Sequence, residues 1–309
     1  MNFTAMMTAA ALFAAAQSGA AQAPATVAPE AKAAPAAATP EASTEVESVV
    51  VTAAPRATIS EFVRSISDPV KRGGKLARWN RKICPATLGL QREYAQYMND
   101  RMAAVAMDAG LKVDKPGCRP DILVIVSADT PTLLAQMAED HKDFFAVRRW
   151  SYERTNSGGS QTFESFVQTD RPVRWWHVSE TVPADGRAFQ SDGKTVRVEA
   201  TRTRSTMRED FAFVIIVVDA QQAQGIGYQA LSDYVAMVSL AQLNPNVNPS
   251  QVPSILNLFD RKGAPEAPVA LTDWDRAYLK GLYGARTDAP DARSQRGRII
   301  SGIRKGGFQ

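Results

Sequence analysis

Two stretches of this chain, Ile122-Leu123-Val124-Ile125-Val126 and Phe211 to Val218, are apolar at every position. A strand with one wet face alternates apolar and polar side chains, so a run without alternation has both faces covered. Each run therefore reads as a buried strand, with 122–126 at the centre of a sheet.

The signals around the two strands are helical. Tyr94, Tyr97, Met98, Met102, Val105 and Ala109 recur at helical spacing, and Gly110 stops the pattern. Ser60 is placed to cap a short helix that runs to Ile66 and ends before Asp68-Pro69. Asp129-Thr130-Pro131 starts another, with Pro131 at its first position and Leu133, Leu134 and Met137 facing inward. Further strands are expected from Val173 to Val182 and around Val196, Val198 and Ala200, which alternate with Arg197, Glu199 and Thr201. After Gly225-Ile226-Gly227 a helix carries Leu231, Tyr234, Val235, Val238 and Leu243 on one side. The expected fold class is α+β, a mixed β-sheet covered by helices.

The first residues point to export. The apolar stretch Ala5 to Ala16 is followed by Ala21-Gln22-Ala23, the pattern of a signal-peptide core and an A-x-A cleavage site, although Met1-Asn2-Phe3-Thr4 lacks the usual basic residue. The stretch is shorter than the roughly 20 residues that span a bilayer, so no transmembrane segment is expected in the mature chain. Residues 1–23 are thus read as a signal peptide, with cleavage near Ala23 and a periplasmic or secreted product. Residues 24–57 are rich in Ala, Pro, Glu and Thr, bury too little apolar surface to offset ordering, and read as a disordered linker. Residues 58–285 form the single α+β domain and 286–309 a basic C-terminal tail. In an oxidising compartment the two cysteines, Cys84 and Cys118, are expected to pair, enclosing the helix between them. A net charge of +4 is mild, and neither that balance nor an exported chain suits a nucleic-acid partner.

The element order, closing with Leu271-Thr272-Asp273-Trp274-Asp275-Arg276-Ala277-Tyr278-Leu279-Lys280-Gly281-Leu282-Tyr283, resembles zincin-type metallopeptidases and exported relatives of theirs. That resemblance implies a zincin-like arrangement and a long helix carrying H-E-x-x-H. Here the corresponding helix reads Gly227-Tyr228-Gln229-Ala230-Leu231-Ser232-Asp233-Tyr234-Val235-Ala236-Met237, without His or Glu. Zinc proteolysis needs two imidazoles one turn apart, a third ligand and a carboxylate base. The chain has two histidines, His141 and His177, so the peptidase metal site is expected to be absent. Separately, Glu47-Ser48-Val49-Val50-Val51-Thr52-Ala53 resembles a TonB box, or is part of the linker.

Several residues nevertheless suit chemistry or binding. Asp219, at the end of an apolar strand, and Asp233, on the next helix, are a carboxylate pair that acid–base catalysis can use, with His177 as a third candidate. The bland alternatives are that Asp219 bonds loop amides and that Asp233 lies on a polar helix face. In Arg174-Trp175-Trp176-His177, Trp175 and His177 share one strand face and Arg174 and Trp176 the other. With Tyr234 they make a sugar- or peptide-binding surface, or else a set of core aromatics. Gly225 and Gly227 lack the third glycine of a dinucleotide loop, and no cofactor is expected. Thr272 and Asp275 have the spacing of a capping box, with Trp274, Tyr278, Leu279 and Leu282 docking the helix. The leading expectation is a non-catalytic, zincin-like envelope protein that binds a protein partner or ligand. A hydrolase with a non-zinc carboxylate site and an accessory to TonB-linked transport are the alternatives.

Overall fold

The computed structural model describes residues 55–69, 74–140, 155–156, 161–185, 201 and 203–306. The signal and TonB-box readings and the alternating segment from Val196 to Ala200 lie outside these residues.

The elements in chain order are α1 (Arg56–Ile66), β1 (Pro85–Leu88), α2 (Arg92–Asp108), β2 (Ile122–Ser127), α3 (Thr130–Asp140), β3 (Thr155–Asn156), α4 (Phe163–Gln168), β4 (Val173–Pro183), β5 (Met207–Asp219), α5 (Tyr228–Leu240), α6 (Asp273–Gly284) and α7 (Ala292–Gly306). The strands form one sheet in the order β1-β2-β5-β4-β3. β1, β2 and β5 run parallel, while β4 is antiparallel to both β5 and β3. The α+β class with a mixed sheet is therefore as expected from the sequence.

The two apolar runs are neighbours at the centre, with Ile122 opposite Val214 and Val126 opposite Val218. Helices cover both faces. α2 and α5 pack together on one face, and α3 and α4 lie on the other. On the first face Ile122, Val124, Val214, Ile216 and Val218 join one continuous core with Met98 and Met102 of α2 and Val235 and Val238 of α5. On the second, Phe166 of α4 packs against Trp176 with ring centroids 5.7 Å apart.

Every residue of α5 from Ala230 to Leu240 is buried, so it is a core helix rather than an amphipathic one. It ends at Leu240, and Leu243 is buried beyond it in extended chain, bridged to Ser67. α6 contacts α5, and α7 packs on α6 and on α1.

Cys84 and Cys118 form a disulfide across 34 residues of chain. Beside it Asp121 accepts a hydrogen bond from the Cys84 amide at 2.7 Å and returns one to the Cys84 carbonyl at 3.1 Å. Burial pushes the Asp121 carboxyl up to about 6, against the opposing pull of that amide and of Arg81. At the end of β1, Gly89 has φ +83°, and a side chain there would collide with the Val126 carbonyl, 1.9 Å from an added Cβ.

Two sequence boundaries require correction. α1 begins at Arg56 rather than at Ser60, because its buried stripe Ile59, Phe62, Val63 and Ile66 needs Ile59 inside the helix. Pro55 precedes it in an extended conformation, so the linker reading to Ala57 runs too far. Residues 286–309 do not behave as a solvated tail over their described length. α7 buries Ala292, Gln295, Ile299 and Ile303, and the Gln295 side chain exchanges hydrogen bonds of 2.7 and 3.0 Å with the backbone of Leu76.

Candidate functional site

β4 carries the richest set of candidate side chains, and its alternation is as read. Trp175 and His177 face α5, with the Trp175 ring 6.4 Å from that of Tyr234, while Trp176 faces Phe163 and Phe166 of α4. Both faces are covered. Arg174 is 5% exposed, Trp175 4%, Trp176 2% and Tyr234 9%, so none of the four presents a binding surface. Arg174 donates through Nε to the Thr169 carbonyl at 2.7 Å, and the Tyr234 ring packs against Phe259 at 5.1 Å.

His177 is a core residue. Its Nε2 donates to the Val238 carbonyl of α5 at 2.8 Å, which fixes the tautomer, and its ring lies 4.8 Å from Phe211. Burial pushes its pKa down to about 4, so it is neutral at physiological pH and closed to solvent.

Asp219 ends β5 and is saturated by its surroundings. Oδ1 accepts from the amides of Gln221 and Gln222 at 2.9 Å each, and Oδ2 from the Thr130 hydroxyl at 2.7 Å. Burial raises its pKa, but the Gln222 amide, Thr130, the Gln221 amide and Arg174 outweigh that and hold the carboxyl below its usual range. It is the loop-amide anchor that the bland reading described.

Asp233 is not on a polar face. It is fully buried, accepts two hydrogen bonds from Arg101 and a third from the Leu271 amide at 2.6 Å, and so ties α5 to α2 and to the start of α6. Its bond to Arg101 raises the arginine's pKa, although partial burial works the other way. His177, Asp219 and Asp233 thus have separate partners and share none among the described residues.

An open surface does occur where α2 and α5 begin. The Tyr228 ring, on the first residue of α5, lies 5.5 Å from that of Tyr94 and 5.4 Å from that of Tyr97. Its hydroxyl donates to the Tyr94 carbonyl at 2.6 Å. Burial and the two neighbouring phenols push the Tyr228 hydroxyl up to about 12, so it stays protonated and keeps this role. Tyr94 and Tyr97 remain 48% and 43% exposed. Arg101 lies one turn beyond Tyr97, its guanidinium held by the buried Asp233 fork.

The position follows from the topology. α2 follows β1 and α5 follows β5, both on one face, whereas α3 follows the intervening β2 on the other. Connections therefore diverge at the carboxyl edge of the three parallel strands, the usual crevice for ligands in open α/β sheets. The tyrosines stand at that edge.

Sequence reasoning missed this cluster by assigning Tyr94 and Tyr97 to the inward stripe. Tyr94 does share a face with Met98 and Met102, but it lies in the first turn of α2, where the Tyr228 ring is its cover. Among the described residues no group of three or more His, Cys, Asp or Glu is placed to hold a metal ion. None of their helices is long and apolar enough to cross a membrane. Comparison of the chain with protein-family models, with curated proteins and with solved structures finds no match.

Proposed function

We propose that this is an exported cell-envelope protein whose folded domain is a non-catalytic binding module of zincin-like arrangement. The tyrosine surface at the carboxyl edge of the parallel strands is its binding site. The observation that carries this reading is the exposure of Tyr94 and Tyr97, packed against the Tyr228 ring and next to a guanidinium bonded to Asp233. Tyrosine offers a flat apolar face with a polar tip, and few rotors are frozen when it binds. A ligand with a flat C–H face and hydrogen-bond acceptors suits it, and in the envelope the sugar rings of structural glycan meet that description.

The polar residues that a hydrolase would recruit support the same reading by their other duties. His177 holds α5 against β4, Asp219 anchors a loop and Asp233 bridges helices. An enzyme needs such groups to converge in an open pocket.

The test is retention of the purified full chain on insoluble peptidoglycan, compared with a Tyr94→Ala/Tyr97→Ala variant. Loss of retention with an unchanged thermal midpoint supports the binding site. Equal retention by the variant refutes it.

A further inference from the structure

We propose that the outward face of α7, continued by α1, docks on an anionic phospholipid surface. α7 carries Arg293, Arg296, Arg298, Arg304 and Lys305 and no acidic residue in 15 positions. Its apolar stripe is spent on α6 and α1, which leaves Arg293, Arg304 and Lys305 exposed on the opposite side. None of the five cations forms an ion pair with a described residue.

Helix stability does not account for them. Arg304 and Lys305 complement the dipole at the carboxyl end, but Arg293 lies in the first turn, where a cation is unfavourable. Asp291, just before the helix, accepts from the Ser294 amide at 2.7 Å and also attracts Arg293 and Arg296, so it offsets part of the charge at this end but none at the end that carries Arg304 and Lys305.

The shape also fits a planar partner. Arg304 lies eleven positions after Arg293, a span of about 16 Å along the axis. Gly297 and Ser301 lie exposed between them, and an added Cβ at Gly297 would meet nothing within 4 Å, so the helix lies low between its charged ends. α1, packed beside α7, adds the exposed Arg56 and Arg64 against a single acid, Glu61. A stripe with a large excess of cations and no apolar anchor is the pattern for attraction to anionic headgroups, where each cation near the surface strengthens binding about fivefold.

The experiment is sedimentation of the full chain with phosphatidylglycerol vesicles and with phosphatidylcholine vesicles. The readout is the anionic-minus-neutral difference, because the apolar stretch from Ala5 to Ala16 contributes to both. Wild type is expected to prefer phosphatidylglycerol, and Arg293→Gln/Arg304→Gln/Lys305→Gln to lose about a hundredfold in that preference. A control with the same charge change elsewhere, Lys82→Gln/Lys112→Gln/Lys115→Gln, is expected to keep it. Absence of a preference in wild type, retention of it by the α7 variant, or an equal loss in the control overturns the proposal. So does retention on immobilised polyglutamate without vesicle binding, which would make the partner an acidic polypeptide.

Discussion

Arg101 and Asp233 join α2 to α5 through a two-point contact, with Arg101 Nη2 donating to Asp233 Oδ2 at 2.9 Å and Nε donating to Oδ1. The arginine is partly exposed and the aspartate is not. Removing one partner of such a pair leaves the other without compensation, at a cost of about 3–5 kcal/mol. Asp233→Ala is therefore expected to lower the urea-unfolding free energy by about 3 kcal/mol or more. Arg101→Ala should act in the same direction, and the double variant should lose less than the sum of the two.

The disulfide between Cys84 and Cys118 closes a long loop around α2. By loop entropy, Cys84→Ser/Cys118→Ser is expected to cost about 3–4 kcal/mol in the same measurement, and a reducing agent should lower the wild-type midpoint but not that of the variant.

His177 makes stability depend on pH. The imidazole takes its proton near 6.5 in the unfolded chain and near 4 in the folded one. Its contribution is fully present above 6.5 and is lost as pH falls towards 4, by roughly 3 kcal/mol. Asp121, raised to about 6, titrates with the opposite sign, so the wild-type slope alone is a mixture. The difference between wild type and His177→Gln isolates the histidine. That difference is expected to shrink between pH 7 and pH 4 in denaturant titrations, and a constant difference would contradict the buried neutral imidazole.

α6 and α7 touch at glycine. A Cβ at Gly281 would meet Ile299 Cα at 3.0 Å and its carbonyl oxygen at 3.1 Å, and one at Gly302 would meet Gly281 Cα at 3.2 Å. Gly281→Ala must push the helices apart and is expected to cost about 1–3 kcal/mol. Gly297→Ala, which meets nothing, is expected to be neutral or slightly stabilising. Thermal unfolding of the two variants separates a docked α7 from a loose one.

The two central strands were legible because their cores, 122–126 and 211–218, have no polar position to mislead, and Thr272 and Asp275 announced the capping box that starts α6. α7 was not, since five cations and three glycines hide a stripe of only four inward residues, of which Gln295 is polar. The duty of Asp233 was equally hidden. Its partner Arg101 is 132 residues away, and local pattern places an aspartate on a solvated face. The tyrosine surface needed the sheet order, because the divergence of α2, α3 and α5 from neighbouring strands is a property of topology.

Retention on purified peptidoglycan, read for Tyr94→Ala/Tyr97→Ala and for Asp219→Asn side by side, bears most directly on the claim that binding resides in the tyrosines and not in the buried polar groups. The account predicts that the tyrosine variant falls to background while Asp219→Asn stays bound. Retention of the tyrosine variant at wild-type level, or loss of binding confined to Asp219→Asn, would contradict it.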